Sequence, residues 1–270
     1  MKLAFTTLAC PDWDLGQIID AAVAAGYDGV DFRGYRRKMP IYEWPEFSTD
    51  VAATARRLAE AGLDVPCLSA GAKLYATDPA AREKHLAEVA AYGDLCGPMD
   101  CRMIRVFGGA IDGADRAEAV ETAAAALAAM ARKVAPILIV VETHDDWSRS
   151  QDVAALLAAA KSAGAKNVAA LWDLHHPYRA HGESPSQTLA TLGGQIAYTH
   201  VKDSWVDSNG KTVLCLGGEG DVPLGEMIAG LRDIGYDGCL TVEWEKRWHE
   251  ELAEPNVALP AYANYLRTLI

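Results

Sequence analysis

The chain has 270 residues, 50% of them hydrophobic, and a mean hydropathy of −0.01, which supplies enough apolar material for a large core. Its formal net charge is −12 and its pI about 5.0, so the overall field steers it toward neither nucleic acid nor anionic lipid. No apolar run is long enough to span a bilayer. The opening MKLAFTTLACPDWD carries one lysine and soon turns acidic, so it is expected to be a first strand and not a signal peptide. The cysteines at 10, 67, 96, 101, 215 and 239 are scattered and form no Cys-x-x-Cys pair, and a reduced, cytoplasmic setting is expected.

In chain order, KLAFTTL (2–8) predicts a first strand, and Asp14 is placed to cap a helix over 15–25 that Gly26 ends. YDGVDFR (27–33) predicts a second strand, followed by the loop GYRRKMPIYEWPEF (34–47). Ser48 is expected to cap a helix to about Ala61, with Gly62 as its stop. DVPCLSA (64–70) predicts a third strand, and a loop with Lys73 and Tyr75 leads to Asp78-Pro79, which opens a helix to about Cys96. CRMIRVFGG (101–109) predicts a fourth strand, and the Ala-rich segment 115–133 a helix.

PILIVVE (136–142) predicts a fifth strand, SQDVAALLAAAKSAG (150–164) a helix, and NVAALWD (167–173) a sixth strand. LHHPYRAHGES is expected to be a loop before a short helix near 185–192. QIAYTHVKD (195–203) predicts a seventh strand, VPLGEMIAGLRDIG (222–235) a helix, GCLTVEW (238–244) an eighth strand, and 256–269 a closing helix. The long connection 203–221 contains Asn209-Gly210, which predicts an inserted β-hairpin. Eight strand–helix units at intervals of roughly thirty residues predict a single-domain α/β chain over 1–270, a (β/α)₈ TIM barrel. An open doubly wound sheet fits less well, because no glycine-rich phosphate fingerprint follows the first strand.

Four of these strands end in a residue that ligates metals. Glu142 closes the run ILIVV, Asp173 follows LW, His200 sits in YTHVKD and Glu243 in LTVEWE. In a barrel the C-terminal ends of the strands converge on one mouth, so these four can meet. A carboxylate at a strand end can also be a helix cap or a solvated loop residue, and it is the joint placement on four successive strands that points to a site. Three carboxylates and an imidazole form a hard donor set for one divalent ion, Mn²⁺ first, with Mg²⁺, Co²⁺ or Zn²⁺ as alternatives.

Several neighbours stay open at this level. His144 either reaches the mouth or bonds to Asp145 or Asp146. Arg105 and Arg33 point either inward or outward, and an inward arginine binds a carboxylate or phosphate. Asp203 either orients Lys202 or caps the hairpin, and Glu219 and Asp221 are expected to shape the following turn. The loop 34–47, with Arg36, Arg37, Lys38, Tyr42, Trp44 and Phe47, is either a lid or an anchored surface turn, and the first is favoured because barrel specificity sits in such loops. Trp13, Trp147 and Trp205 are placed to wall the mouth, Trp172 to lie in the core, and His175 and His181 to be structural.

The segments AAGYDGVDFR, VVETHDD, LWDLHHP, HVKDS, GEGDVP and TVEWE resemble the xylose isomerase-like TIM barrels, the sugar isomerases and epimerases akin to D-tagatose 3-epimerase. The resemblance covers nearly the whole chain, and the order Glu, Asp, His, Glu on the last four strands is its most specific part. It implies that Glu142 and Glu243 both ligate the metal and act as catalytic acid and base, and that His176 and Lys202 contact substrate. His144 and Arg105 are further candidates for substrate binding. The expected activity is a metal-dependent sugar isomerase or epimerase acting through an enediolate. The alternative is a dehydratase or lyase on a keto-cyclitol, dehydroshikimate or 3-keto-glycoside. An endonuclease IV-like nuclease ranks last, because the chain lacks its basic face and His-rich set. The expected partner is a small sugar or cyclitol, with no nucleic acid and no membrane, in a chain that could form a homo-oligomer.

Overall fold

The computed structural model describes all 270 residues. Ten strands form: β1 (Lys2–Thr6), β2 (Gly29–Asp31), β3 (Leu68–Lys73), β4 (Met103–Phe107), β5 (Leu138–Glu142), β6 (Val168–Asp173), β7 (Ile196–Val201), β8 (Asp203–Val206), β9 (Thr212–Cys215) and β10 (Cys239–Val242). Eight of them make one parallel sheet in the order β2-β1-β10-β7-β6-β5-β4-β3. The two end strands meet through Val30 N–H to Asp64 O at 3.0 Å and Ser69 N–H to Phe32 O at 3.3 Å, which brings the sheet round into a barrel. β8 and β9 are the predicted antiparallel hairpin, turned at Asp207–Lys211 with Gly210 at φ 80°.

The helices are α1 (Leu15–Ala25), α2 (Val51–Glu60), α3 (Pro79–Cys96), α4 (Arg116–Val134), α5 (Ser150–Ser162), α6 (His176–His181), α7 (Pro185–Leu192), α8 (Leu224–Asp233) and α9 (Pro255–Arg267). Asp14 and Gln17 form a reciprocal capping box on α1, and Asp78 accepts from Ala80 N–H and Ala81 N–H ahead of α3. One large apolar cluster fills the space between sheet and helices, from Phe5 and Ile104 on strands to Leu127 and Leu231 on helices. A second, smaller cluster lies inside the barrel: Ala4, Cys67, Val140, Ala169, Leu171, Tyr198 and Cys239. All six cysteines are free, and no helix is long and apolar enough to cross a membrane.

Four expectations need correction. β1 stops at Thr6, and Thr7–Ala9 turn as a 3₁₀ helix. β3 runs four residues later at its start than predicted, because Pro66 has no N–H to give a ladder. α2 starts at Val51 with Asp50 at the cap position, while Ser48 Oγ donates to Trp44 O at 2.8 Å instead. LHHPYRAHGES is not a loop throughout: His176–His181 form a helix that Gly182 ends at φ 61°.

The turn after β4 is packed tightly over this framework. Trp147 is fully buried and donates from Nε1 to Gly109 O at 2.8 Å, and a Cβ on Gly108 would lie 2.1 Å from its ring. Gly108→Ala is therefore expected to lower stability by about 1–3 kcal/mol through overpacking, read as a lower urea midpoint at unchanged slope.

Candidate metal centre

Alternate residues of a strand face the same side, so the inner-layer side chains fix which later residues also point inward. Val140 leads to Glu142, Leu171 to Asp173, Tyr198 to His200 and Lys202, and Cys239 to Thr241 and Glu243. The strand register aligns them: Glu142 lies opposite Leu171, Asp173 opposite His200, and Thr241 opposite His200. Glu142, Asp173 and His200 are fully buried, and Glu243 is 5% exposed.

Potential ligand atoms of these four residues all lie within 4.8 Å of one another. His200 Nδ1 lies 2.9 Å from Glu142 Oε1 and 3.3 Å from Glu243 Oε1. Asp173 is held in place by its own loop: Oδ1 accepts from His175 N–H at 2.8 Å and His176 N–H at 3.1 Å. The other oxygens, Glu142 Oε2 and Asp173 Oδ2, are buried without a well-angled hydrogen bond. Converging carboxylate oxygens with unspent lone pairs, plus one imidazole nitrogen, fit a hard divalent cation.

Within the protein, three cations balance the cluster. Lys202, also fully buried, is bonded to Glu243 Oε2 and lies 2.9 Å from both Asp173 Oδ2 and Glu245 Oε1. Arg105 Nε lies 3.4 Å from Glu142 Oε2. Burial pushes the Glu142 carboxyl up, but Arg105 and His200 together outweigh it and hold the group at about 2. Burial dominates at Asp173 and raises it to about 6 despite Lys202. Burial lowers His200, yet Glu243 and Glu142 raise it well above the usual imidazole range. An imidazole that ligates a metal must be neutral, so metal and proton compete for this nitrogen.

One member of the site escaped sequence reasoning. Asp31, the last residue of β2, is fully buried, and its Oδ2 accepts from Ser69 Oγ at 2.9 Å and lies 3.7 Å from His200 Nε2. It stands behind the imidazole, where a carboxylate orients a ligand histidine. Its signal was the inward parity of YDGVDFR, masked by a second aspartate, Asp28, in the same run. Glu245 and Phe107 were likewise not singled out.

The open alternatives resolve as follows. His144 does both things proposed for it: Nδ1 pairs with Asp145 Oδ1 at 2.8 Å, while the ring packs edge-on against His176 at 4.4 Å. His176 Nε2 lies 3.7 Å from Asp173 Oδ2, and its ring is partly exposed. Arg105 points inward, fully buried, with its guanidinium 3.9 Å from the Phe107 ring. Asp203 caps the hairpin return, accepting from Ser204, Gly218, Gly220 and Val222 N–H, and does not orient Lys202. Asp221 pairs with Arg179, Glu219 turns the chain by donating its N–H to Leu216 O, and His175 and His181 bond to Ser204 and Ser148 as structural residues.

The loop 34–47 is an anchored turn. Arg37 pairs with Asp12 and Lys38 with Glu43 on the surface, while Tyr35, Ile41 and Phe47 are buried. Trp147 lies beneath the mouth, not on its wall, Trp205 is exposed on the hairpin, Trp13 is half-buried, and Trp172 is core as expected.

An eight-stranded parallel barrel with a polar, ligand-rich centre at the carboxyl ends of its strands is the architecture of a family. The family model described as xylose isomerase-like TIM barrel matches residues 19–268, and the chain belongs to that family. No sequence among the curated proteins matches it. Among solved structures, the chain is similar to the probable 3-DHS dehydratase AsbF involved in petrobactin synthesis in Bacillus anthracis, at 19% identity and TM-score 0.79 over 99% of both chains. It is similar to IolI with a bound zinc atom, at 15% identity and TM-score 0.83 over 100% of this chain and 98% of the other. It is also similar to D-psicose 3-epimerase with D-tagatose from Clostridium cellulolyticum H10, at 16% identity and TM-score 0.78 over 100% and 99%. These likenesses establish the fold.

A lowered carboxylate contributes stability that is present above its ordinary value and lost as pH falls. For Glu142 the window runs from about 4.5 down to about 2. In EDTA-dialysed protein, Glu142→Gln is expected to flatten the stability loss across that window. At neutral pH it should cost about 3–5 kcal/mol, because Arg105 is left buried without its counter-charge. Urea unfolding at a series of pH values measures both; an unchanged acid limb contradicts the assignment.

Proposed function

We propose that the chain is a metal-dependent isomerase or epimerase of a sugar or sugar-derived carbonyl compound. The observation that carries this reading is the pair of buried glutamates converging on His200 Nδ1, each backed by its own cation: Arg105 for Glu142 and Lys202 for Glu243. Two fixed carboxylates beside one centre can remove a proton from a carbon and return one elsewhere. The family membership and the sugar epimerases among the similar structures support it.

Glu142, Asp173, His200 and Glu243 would hold the ion, Mn²⁺ first, and Asp31 would orient His200. A divalent ion bound there supplies Lewis-acid polarisation of a carbonyl next to the carbon that loses its proton. One glutamate takes that proton as base, and the other delivers a proton as acid. Return to the opposite face inverts the carbon; return to the neighbouring carbon interconverts aldose and ketose. His176 and His144, partly exposed beside each other above Asp173, would bind substrate hydroxyls, and Lys202 would meet substrate oxygen from the β7 side. Burial of the centre excludes the water that would otherwise compete for the proton.

A second reading is favoured by one observation, the inward guanidinium of Arg105, which is ion-paired with Glu142 through Nε but makes no hydrogen bond from Nη1 or Nη2. The same base that abstracts the proton can lead to loss of a β-hydroxyl, and a dehydratase of an acidic keto compound would use Arg105 to hold the acid. The AsbF likeness supports that alternative.

Metal analysis should find one divalent ion bound per chain in wild type. Incubation with a panel of keto-sugars in D₂O should place deuterium on the carbon beside the carbonyl. Glu243→Gln is expected to slow this exchange by about 10²–10⁴-fold. Retained metal with exchange at no substrate carbon would sink the proton-transfer reading, and a product absorbing as an enone would select the lyase.

A further inference from the structure

Arg105 is the least satisfied cation in the molecule. It is fully buried on β4, and Nε, Nη1 and Nη2 all lack a hydrogen-bond partner. Its nearest carboxylate oxygen, Glu142 Oε2, is 3.4 Å from Nε, which leaves the fork of Nη1 and Nη2 unspent. Buried polar groups are almost always paired, and a guanidinium whose donors are left over in a dry site is shaped for something that arrives later.

A second guanidinium stands beside it. Arg33 follows β2, and its side chain lies 5.6 Å from the centroid of the Phe107 ring, on which Arg105 stacks at 3.9 Å. The one hydrogen-bonding partner of the Arg33 side chain is a thioether, Met39 Sδ at 3.8 Å from Nη1. Between β2 and β4 the intervening strand β3 carries Gly71, whose N–H donates to Glu88 Oε1 at 2.6 Å; a Cβ there would meet that oxygen at 3.2 Å and Arg33 Nη1 and Nη2 at 3.8 Å, so the glycine leaves open space beside the Arg33 guanidinium. Burial first, and then the neighbouring Arg105, pull the Arg33 guanidinium down to about 10. Such a pair is relieved by an anion placed between them.

We propose that Arg33 and Arg105 form a carboxylate-binding subsite, so that the natural substrate is a hydroxylated carbonyl compound bearing an acid group, not a neutral sugar. This rests on the proposed function, since it names the substrate class of the same mouth. The burial of Arg105 favours a carboxylate over a phosphate, since the more highly charged phosphate costs more to take out of water. The planar Nη1–Nη2 fork matches two coplanar oxygens. Arg105 also touches Glu142, so the bound acid group lies within a few bonds of the reacting carbon.

The test is calorimetric titration of the metal-loaded protein and of EDTA-dialysed protein with D-glucuronate, D-glucose and D-glucose 6-phosphate. Glucuronate is expected to bind about tenfold or more tightly than glucose. Arg105→Gln and Arg33→Gln should each collapse that ratio toward one, and Arg105→Lys should restore it only in part, since lysine keeps the charge and loses the fork. Arg33 lies in the loop after β2 and is only partly buried, so its variant tests the idea even if Arg105→Gln fails to fold. Equal affinity for glucuronate and glucose, tighter binding of glucose 6-phosphate, or a preference unchanged in both variants overturns the proposal. The glucuronate preference in EDTA-dialysed protein is independent of proton transfer. Its survival alongside a failed deuterium exchange would sink the proposed reaction and leave this subsite standing.

Discussion

Three carboxylates cannot share a dry pocket unless positive charge shares it with them. Glu142, Asp173 and Glu243 meet at the buried end of the barrel, where burial and mutual repulsion both oppose ionisation. Arg105 answers that charge from β4, and His200 and Lys202 answer it from the end of β7. The balance is uneven. Glu142 and Glu243 are held ionised, whereas Asp173 is raised to about 6 because Lys202 only partly offsets its burial. A divalent ion would fill that deficit and release the proton from His200, so metal affinity and protonation of the cluster are one coupled property.

The scaffold exists to hold this arrangement. Parallel strands covered by helices on the outside leave the inner face of each strand as a column of alternating residues. At the lower level those columns are apolar and small or aromatic, such as Ala4, Val140 and Tyr198. Two residues further on they become polar, and the surrounding loops lock them: backbone N–H groups of α6 grip Asp173, and Thr143 Oγ1 accepts from its backbone N–H. The hairpin β8–β9 is tied back by Asp203, a buried acid spent entirely on backbone N–H groups. It closes the wall beside Lys202 without joining the charge cluster.

How much of this could be read from residues alone differs from place to place. The eight strands and most helices followed from local pattern: apolar runs of strand length, Asp14 and Asp78 as caps, Gly26 and Gly62 as left-handed stops. The four candidate ligands were legible because each ends an apolar run. Asp31 was not, because β2 has three residues and its acid is one of two in YDGVDFR. The late start of β3 was hidden because Pro66 sits inside an otherwise convincing apolar run, and the loop 34–47 read as a lid because composition does not say which way its cations face. Ser48 looked like a cap by type, but its hydroxyl donates back to Trp44 O and α2 begins only at Val51.

By itself the sequence determined the alternation of strand and helix and the chemical kinds of side chain delivered to the strand ends, since both depend on residues within a few positions of one another. Closure of the barrel decided the rest. Only when β2 and β3 meet, and when register sets Asp173 against His200, does a parity of two per strand become a common centre. That is also why the direction of Arg105, the packing of His144 against His176 and the place of Asp31 behind His200 were tertiary facts: each depends on strands separated by tens to hundreds of residues, whose relative shift no local pattern records.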